Sequence, residues 1–287
     1  MRDSCAIDDT EVAPGESRVV DLSIARLFTR TEMAMPVSVL HGVEDGPTLF
    51  LSATLHGDEI NGIEIIRRVM DRILVDKMKG TLLAIPIINV FGFIYQSRYL
   101  PDRRDLNRSF PGSMRGSQAS RLAHLFVKEV VSKCEYGIDL HTAAPPRTNL
   151  PQIRADLRDE RTLGCAMAFG APLMMGSAGP EGSLRRVAAK RGIHTLVFEA
   201  GEPHRFNEDS ICMGVEGVIR VLNHIGMIET EVTQPGPSFE AHRSRWIRAR
   251  QSGVFRLQVR FADSSGASTT SINIGVNGLV SAGDTKR

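Results

Sequence analysis

The chain has 287 residues, 42% of them hydrophobic and 24% charged, the make-up of a soluble globular protein with room for a sizeable core. Its 35 basic and 33 acidic side chains leave a formal net charge of +2, so the overall balance points to neither nucleic acid nor an acidic membrane surface. Cys5, Cys134, Cys165 and Cys212 lack CxxC pairing, and the polar opening MRDSCAIDDTEVAPGE lacks the basic-then-apolar pattern of a secretory signal. No apolar run approaches the roughly 18 residues that span a bilayer. Reduced thiols and a cytoplasmic location are therefore expected.

From residue 18 to 42, RVVDLSIARLF and AMPVSVLHG read as an antiparallel opening pair of strands around the turn-prone TRTE. PTLFLSATLHG follows as a buried strand. It runs straight into DEINGIEIIRRVMDRIL, where Ile60, Ile63, Ile66, Val69 and Met70 recur at helical spacing behind a first turn rich in acids. TLLAIPIINVFGF reads as a second buried strand ending in a loop. The segment from 91 to 116, with SRYLPDRRDLNRSFPGS, reads as a long arginine-rich loop, a feature uncommon in compact domains and often functional. SRLAHLFVKEVVSK, LGCAMAFGA, SLRRVAAKRG and DSICMGVEGVIRVLNHIG read as helices; YGIDLHTA and HTLVFEAG read as strands. This alternation predicts an α/β fold with a mixed, mostly parallel sheet flanked by helices. After Gly226 the Pro-, Gly- and Ser-bearing ETEVTQPGPSFEAHRS reads as a linker. Residues 1–235 are expected to form the main domain and 236–287 a small β-rich C-terminal one, truncated or divergent toward its end.

Three polar sites stand where predicted strands end, the place where α/β sheets bind ligands. His56 and Glu59 flank a Gly-containing turn in HGDE, His141 closes YGIDLH, and Glu199 ends HTLVFE. Two histidines and a carboxylate form a catalytic zinc set that leaves a coordination position for water. Zinc lowers the pKa of such a water toward roughly 7 and polarises a carbonyl. A carboxylate that is not a ligand must then move the proton, a role that suits Glu199. Taken singly, each histidine is an ordinary polar strand end and HxxE a common coincidence; the weight lies in their combination. Asn107 and Arg108 in DLNR set an amide beside a guanidinium that can read a substrate carboxylate, with Arg98 a second candidate for carboxylate or oxyanion contact. Asp105 or Asp139 can orient a ligand histidine through its second ring nitrogen.

No G-x-S-x-G elbow, HExxH helix, P-loop or G-x-G-x-x-G following a strand is present. The arginines around Trp246 (Arg243, Arg245, Arg248, Arg250) read as a solvated face. Arg185 and Arg186 read as an exposed helix face, with the acyl pocket as the alternative.

LHGDEINGIE, IPIINVFGF, RYLPDRRDLNRSFPG, IDLHT and VFEAG, in this order over about residues 48 to 202, resemble the succinylglutamate desuccinylase and aspartoacylase family, relatives of the zinc carboxypeptidases. The resemblance implies a zinc carboxypeptidase-like fold and one zinc ion per chain on His56, Glu59 and His141. It implies Glu199 as general base and acid, Arg98 as the oxyanion-stabilising arginine, Asn107 and Arg108 as the grip on a substrate carboxylate, and Asp105 as a partner behind the first histidine. Glu202 is a rival acid, although Glu199 fits the family's E-x-G pattern better. The loop between Arg98 and Asn107 is longer than in aspartoacylases. No tyrosine follows Tyr136, and FADSSGASTTSINIGVNGLVSAGDTKR lacks the family's expected turn and second apolar strand.

The expected activity is zinc-dependent hydrolysis of a small N-acyl amino acid or related amine carrying a carboxylate. Nucleic acid and membrane are not expected as partners, and a homo-oligomer is left open. A carboxypeptidase, an esterase and a non-catalytic binding protein on the same fold are the alternatives.

Overall fold

The computed structural model describes residues 2–242 and the two-residue strand Ile274–Gly275. A small hairpin, β1 (Cys5–Ile7) and β2 (Thr10–Val12), precedes the long antiparallel pair β3 (Glu16–Arg26) and β4 (Glu32–His41), as the alternating sequence predicts. Next come β5 (Glu44–Ala53), α1 (Asn61–Met70), β6 (Lys79–Ile85), α2 (Val90–Ile94), α3 (Gln118–Glu129), β7 (Tyr136–His141), β8 (Arg147–Ala155) and α4 (Glu160–Phe169). The chain continues through β9 (Leu173–Gly176), α5 (Leu184–Ala189), β10 (His194–Gly201), α6 (Glu208–His224), β11 (Phe239–Ala241) and β12 (Ile274–Gly275).

The main sheet runs in the order β11-β9-β8-β10-β7-β5-β6-β4-β3, with β12 paired to β8 off this path. The central run β10-β7-β5-β6 is parallel; β8 joins it antiparallel and is itself parallel to β9, which pairs parallel with β11. The sheet is thus mixed and mostly parallel, as expected. Its central strands are buried on both faces, which is why they read as unbroken apolar runs. Successive side chains point to opposite layers: Leu49 and Leu51 of β5 pack in the core with α1, α4 and α6, whereas Phe50 packs with α3 and α5 on the other side. Phe126 of α3 meets Phe50 edge-on with ring centroids 6.1 Å apart.

Three sequence-based expectations change. The end of TLLAIPIINVFGF is not a loop: β6 ends at Ile85 and VFGFI winds into α2, capped by the Asn89 side chain on the Gly92 N–H. The stretch from 91 to 116 is accordingly not structureless, since it holds part of α2 and a 3₁₀ turn over Leu106–Arg108. β8 and β9 were not expected at all. The basic stretch around Trp246 and almost all of the predicted C-terminal β domain lie outside the described residues. Within them, β11 lies beside β9 at the edge of the main sheet. The four cysteines are unpaired, with Cys134 and Cys165 buried. No helix among the described residues is long and apolar enough to cross a membrane.

Candidate active site

β5, β7 and β10 are neighbours running in one direction, so the loop after β5 and the ends of β7 and β10 arrive at one sheet edge. His56 and Glu59 come from the loop, His141 ends β7, and Glu199 sits beside it in register on β10. Close packing fixes the loop: a Cβ on Gly57 would lie 1.9 Å from the Gly92 backbone, and the Gly57 N–H donates to the Ser97 carbonyl at 3.0 Å. Only glycine allows that approach of two main chains.

The three sequence-predicted ligands converge. His56 Nδ1 lies 2.7 Å from Glu59 Oε1, His141 Nδ1 lies 2.7 Å from Glu59 Oε2, and ligand atoms of all three fall within 4.8 Å of one another. Their second ring nitrogens face carboxylates: His56 Nε2 is 3.2 Å from Asp105 and His141 Nε2 is 2.7 Å from Asp139. Ser52 Oγ donates to the other Asp139 oxygen at 2.8 Å. Each histidine therefore has its own aspartate behind it.

The electrostatics fit a cation. Burial opposes charge on His56, yet Glu59 and Asp105 outweigh it and raise the imidazole's pKa; His141 is raised well above its ordinary value by Asp139 and Glu59 against the same penalty. Burial alone would raise Glu59, but the two histidines hold its carboxyl well below the usual range. A frame of carboxylates that draws positive charge onto two inward-facing imidazoles is suited to a divalent metal, and the His₂Glu donor set is one that zinc favours.

Arg98 reaches this set, with Nη1 3.2 Å from Glu59 Oε1 and Nη2 3.0 Å from Asp105 Oδ2. Asp105 caps the Leu106–Arg108 turn through the Asn107 N–H, so one side chain ties the DLNR segment to His56. The Asn107 Oδ1 accepts from the Leu184 N–H at 3.0 Å, which leaves the amide's donors for a ligand and docks the turn on α5. Gly182, at φ +74°, is required there: a Cβ would stand 2.5 Å from the Arg108 carbonyl oxygen.

These residues line a cavity of about 280 Å³, a size suited to a small molecule. His56, Glu59, His141, Glu199, Arg98, Asn107 and Arg108 all face it, whereas Glu202 does not and pairs with Arg205 instead. Asp105 stands behind His56. The cavity also receives residues that the sequence reading did not single out: Arg147, Asn149 and Arg154 from β8. Arg185, expected on an exposed helix face, is instead 8% exposed and lines the cavity. Its Nη1 has no hydrogen-bond partner, and burial followed by repulsion from Arg154 pushes its pKa down to about 10.

The profile of the succinylglutamate desuccinylase/aspartoacylase catalytic domain matches residues 45–225. The chain is 27% identical over 241 residues to the N-alpha-acetyl-L-2,4-diaminobutyric acid deacetylase of Halomonas elongata, covering 80% of this chain and 70% of that one. It superposes on a succinylglutamate desuccinylase/aspartoacylase from Rhodobacter sphaeroides with a TM-score of 0.74 and 28% identity, over 86% of this chain and 79% of the other. The fold is shared with the product-bound ectoine utilization protein EutE of Ruegeria pomeroyi, at a TM-score of 0.77 and 20% identity over 92% and 80% of the two chains. The matched span runs from β5 to α6 and contains every residue of the cavity described above, so the chain belongs to the succinylglutamate desuccinylase/aspartoacylase family.

Proposed function

We propose that the protein is a zinc-dependent hydrolase that removes the acyl group from a small N-acyl amino acid or related amine. One observation carries the reading: an inward-facing His₂Glu set and a separate carboxylate, Glu199, share one small arginine-lined cavity. His56, Glu59 and His141 would hold the zinc ion, which would supply a Lewis acid and an activated water. Glu199 takes the proton of the attacking water and passes it to the leaving nitrogen, so that carboxylate and amine separate. Arg98 donates to the oxygen on which charge develops. Asn107 and Arg108 hold the substrate carboxylate, which fixes the amide relative to Glu199.

The charge distribution supports an anionic substrate. Arg98, Arg108, Arg147, Arg154 and Arg185 line the cavity against Glu59, Asp139 and Glu199. The Halomonas relative supports deacetylation of an amino acid derivative as the reaction type. The test is a screen of N-acetyl, N-succinyl and N-formyl amino acids against zinc-loaded protein, read as free amine released, with zinc per chain measured in parallel. About one zinc per chain, and turnover abolished in Glu199→Gln with zinc retained, is the expected result. A folded protein that takes up no zinc overturns the proposal.

A further inference from the structure

We propose that Asn149 and Arg154 of β8 are positioning residues that hold the Glu199 carboxylate in its working orientation; this rests on Glu199 being the general base proposed above. The Asn149 amide donates to Glu199 Oε2, and Arg154 Nε forms an ion pair with Oε1 at 3.4 Å. Each carboxylate oxygen thus has its own partner from the adjacent strand.

The backbone explains how two residues five apart serve one side chain. β8 runs antiparallel to β10, with Arg154 opposite Val197 and Gln152 opposite Glu199. Strict alternation would next set Leu150 opposite Gly201. The register slips between Glu199 and Gly201, so that Asn149 stands there instead. One extra residue in β8 is a bulge, and Pro151, which has no N–H to offer the ladder, lies within it. The extra residue turns Asn149 onto the face that carries Gln152 and Arg154, where it meets Glu199.

The chemistry needs this support. A proton-shuttling carboxylate must present one oxygen first to the water and then to the leaving nitrogen, and a free Glu side chain has three torsions with which to miss. Asn149 donates and cannot take up the proton in transit, so it restrains Glu199 without competing for its role. Arg154 sets a positive charge against the second carboxylate oxygen, and Arg185 is close enough to be repelled by Arg154 and attracted by Glu199.

The experiment compares the zinc-loaded full chain with its Asn149→Asp, Arg154→Gln, Arg154→Lys and Glu199→Gln variants. Asn149→Asp keeps the shape but replaces the donor with an acceptor. The expected result for Asn149→Asp and Arg154→Gln is a kcat lower by about tenfold to a hundredfold, with KM changed by less than about threefold and zinc content unchanged. Arg154→Lys should recover most of the loss in Arg154→Gln. A crystal structure of each zinc-loaded variant gives a readout free of turnover: the Glu199 carboxylate should rotate out of its place beside His141. An unmoved Glu199 in both variants, an unchanged kcat, or a raised KM at constant kcat for Arg154→Gln overturns the proposal, the last by making Arg154 a substrate contact. If Glu199→Gln stays active, it is the base assignment that has failed. If Glu199→Gln is inactive while the β8 variants behave as the parent, only the positioning role is lost.

Discussion

Asp139 offers the sharpest test of the proposed metal site, because it touches only one of the proposed ligands, His141. It is 1% exposed, accepts from Ser52 at 2.8 Å and faces His141 Nε2 at 2.7 Å. Replacement by Asn keeps both contacts in a single orientation: the amide oxygen accepts from Nε2, and the amide nitrogen donates to the Ser52 hydroxyl, which can rotate to accept. Asp139→Asn therefore removes charge and little else, whereas Asp139→Ala also leaves a buried imidazole N–H without a partner. Residues behind metal-binding histidines are worth about 10- to 100-fold in metal affinity, or about 1.4–2.7 kcal/mol. Asn should fall near the lower end and Ala near the upper. Zinc dissociation constants from chelator competition provide the measurement, with circular dichroism confirming the fold. A zinc affinity for Asp139→Ala within about twofold of the parent would refute the orienting role and, with it, His141 as a ligand in this geometry.

Glu64 on α1 is held down to about 2 by hydrogen bonds from Arg67 and then Arg68, against an ordinary value of 4.5. A depressed carboxyl pKa stabilises the fold above the unfolded value and loses that effect as pH falls from 4.5 toward 2. With Arg67 exposed and Glu64 and Arg68 half-buried at the surface, Glu64→Gln should cost only about 0.5 kcal/mol at neutral pH, a drop of about 1–2 °C in Tm that vanishes near pH 2 in a melting series. Gly182→Ala forces a left-handed residue against the Arg108 carbonyl and should cost about 1–3 kcal/mol in denaturant unfolding; the displaced Arg108 should appear as a raised KM. Arg185→Met should stabilise the fold by about 1 kcal/mol, because a buried guanidinium nitrogen without a partner is removed, while raising KM for a carboxylate-bearing substrate about tenfold. A destabilised Arg185→Met with unchanged KM would show that Arg185 supports structure alone.

That His56, Glu59 and His141 converge was legible because the topology gathers strand ends at one edge, and each stands in a short polar interruption of an apolar run. The parallel core was legible for the same reason, since strands buried on both faces leave uninterrupted hydrophobic stretches. β8 left no such trace. Its sequence RTNLPQIRA carries a proline and polar residues at the positions that face the cavity, so neither apolar continuity nor apolar alternation marks it. Pro151 is the one signal that was available, as a proline within a strand-like run indicates an edge or a bulge. Arg185 was misplaced because α5 is short: Leu184, Val187 and Ala188 bury one stripe, and the neighbouring position faces the cavity instead of solvent. A single turn and a half of helix has too little periodicity to separate those outcomes.

The two missed features together explain the polarity of the cavity. On the β5 side, Glu59, Asp105 and Asp139 surround two imidazoles and draw positive charge toward them. On the β8 and α5 side, Arg154 and Arg185 stand close enough to repel each other, and burial followed by that repulsion lowers the proton affinity of Arg185. Folding alone gains nothing from that repulsion: Arg154 has Glu199 as its ion-pair partner, but the buried Arg185 Nη1 has no hydrogen-bond partner, which opposes stability. Such an arrangement becomes favourable when an anion joins it. Glu199 stands between the halves, its carboxylate engaged from β8 and its register neighbour His141 on the other side. An amide lying across Glu199 with a carboxylate on the arginine side would compensate both halves at once, whereas a substrate with a cationic side chain on that side would add to the repulsion. On the proposed function, the arginine half, more than the proposed metal, is therefore where selectivity among N-acyl compounds is to be sought, and the substrate screen should weigh anionic side chains against cationic ones first.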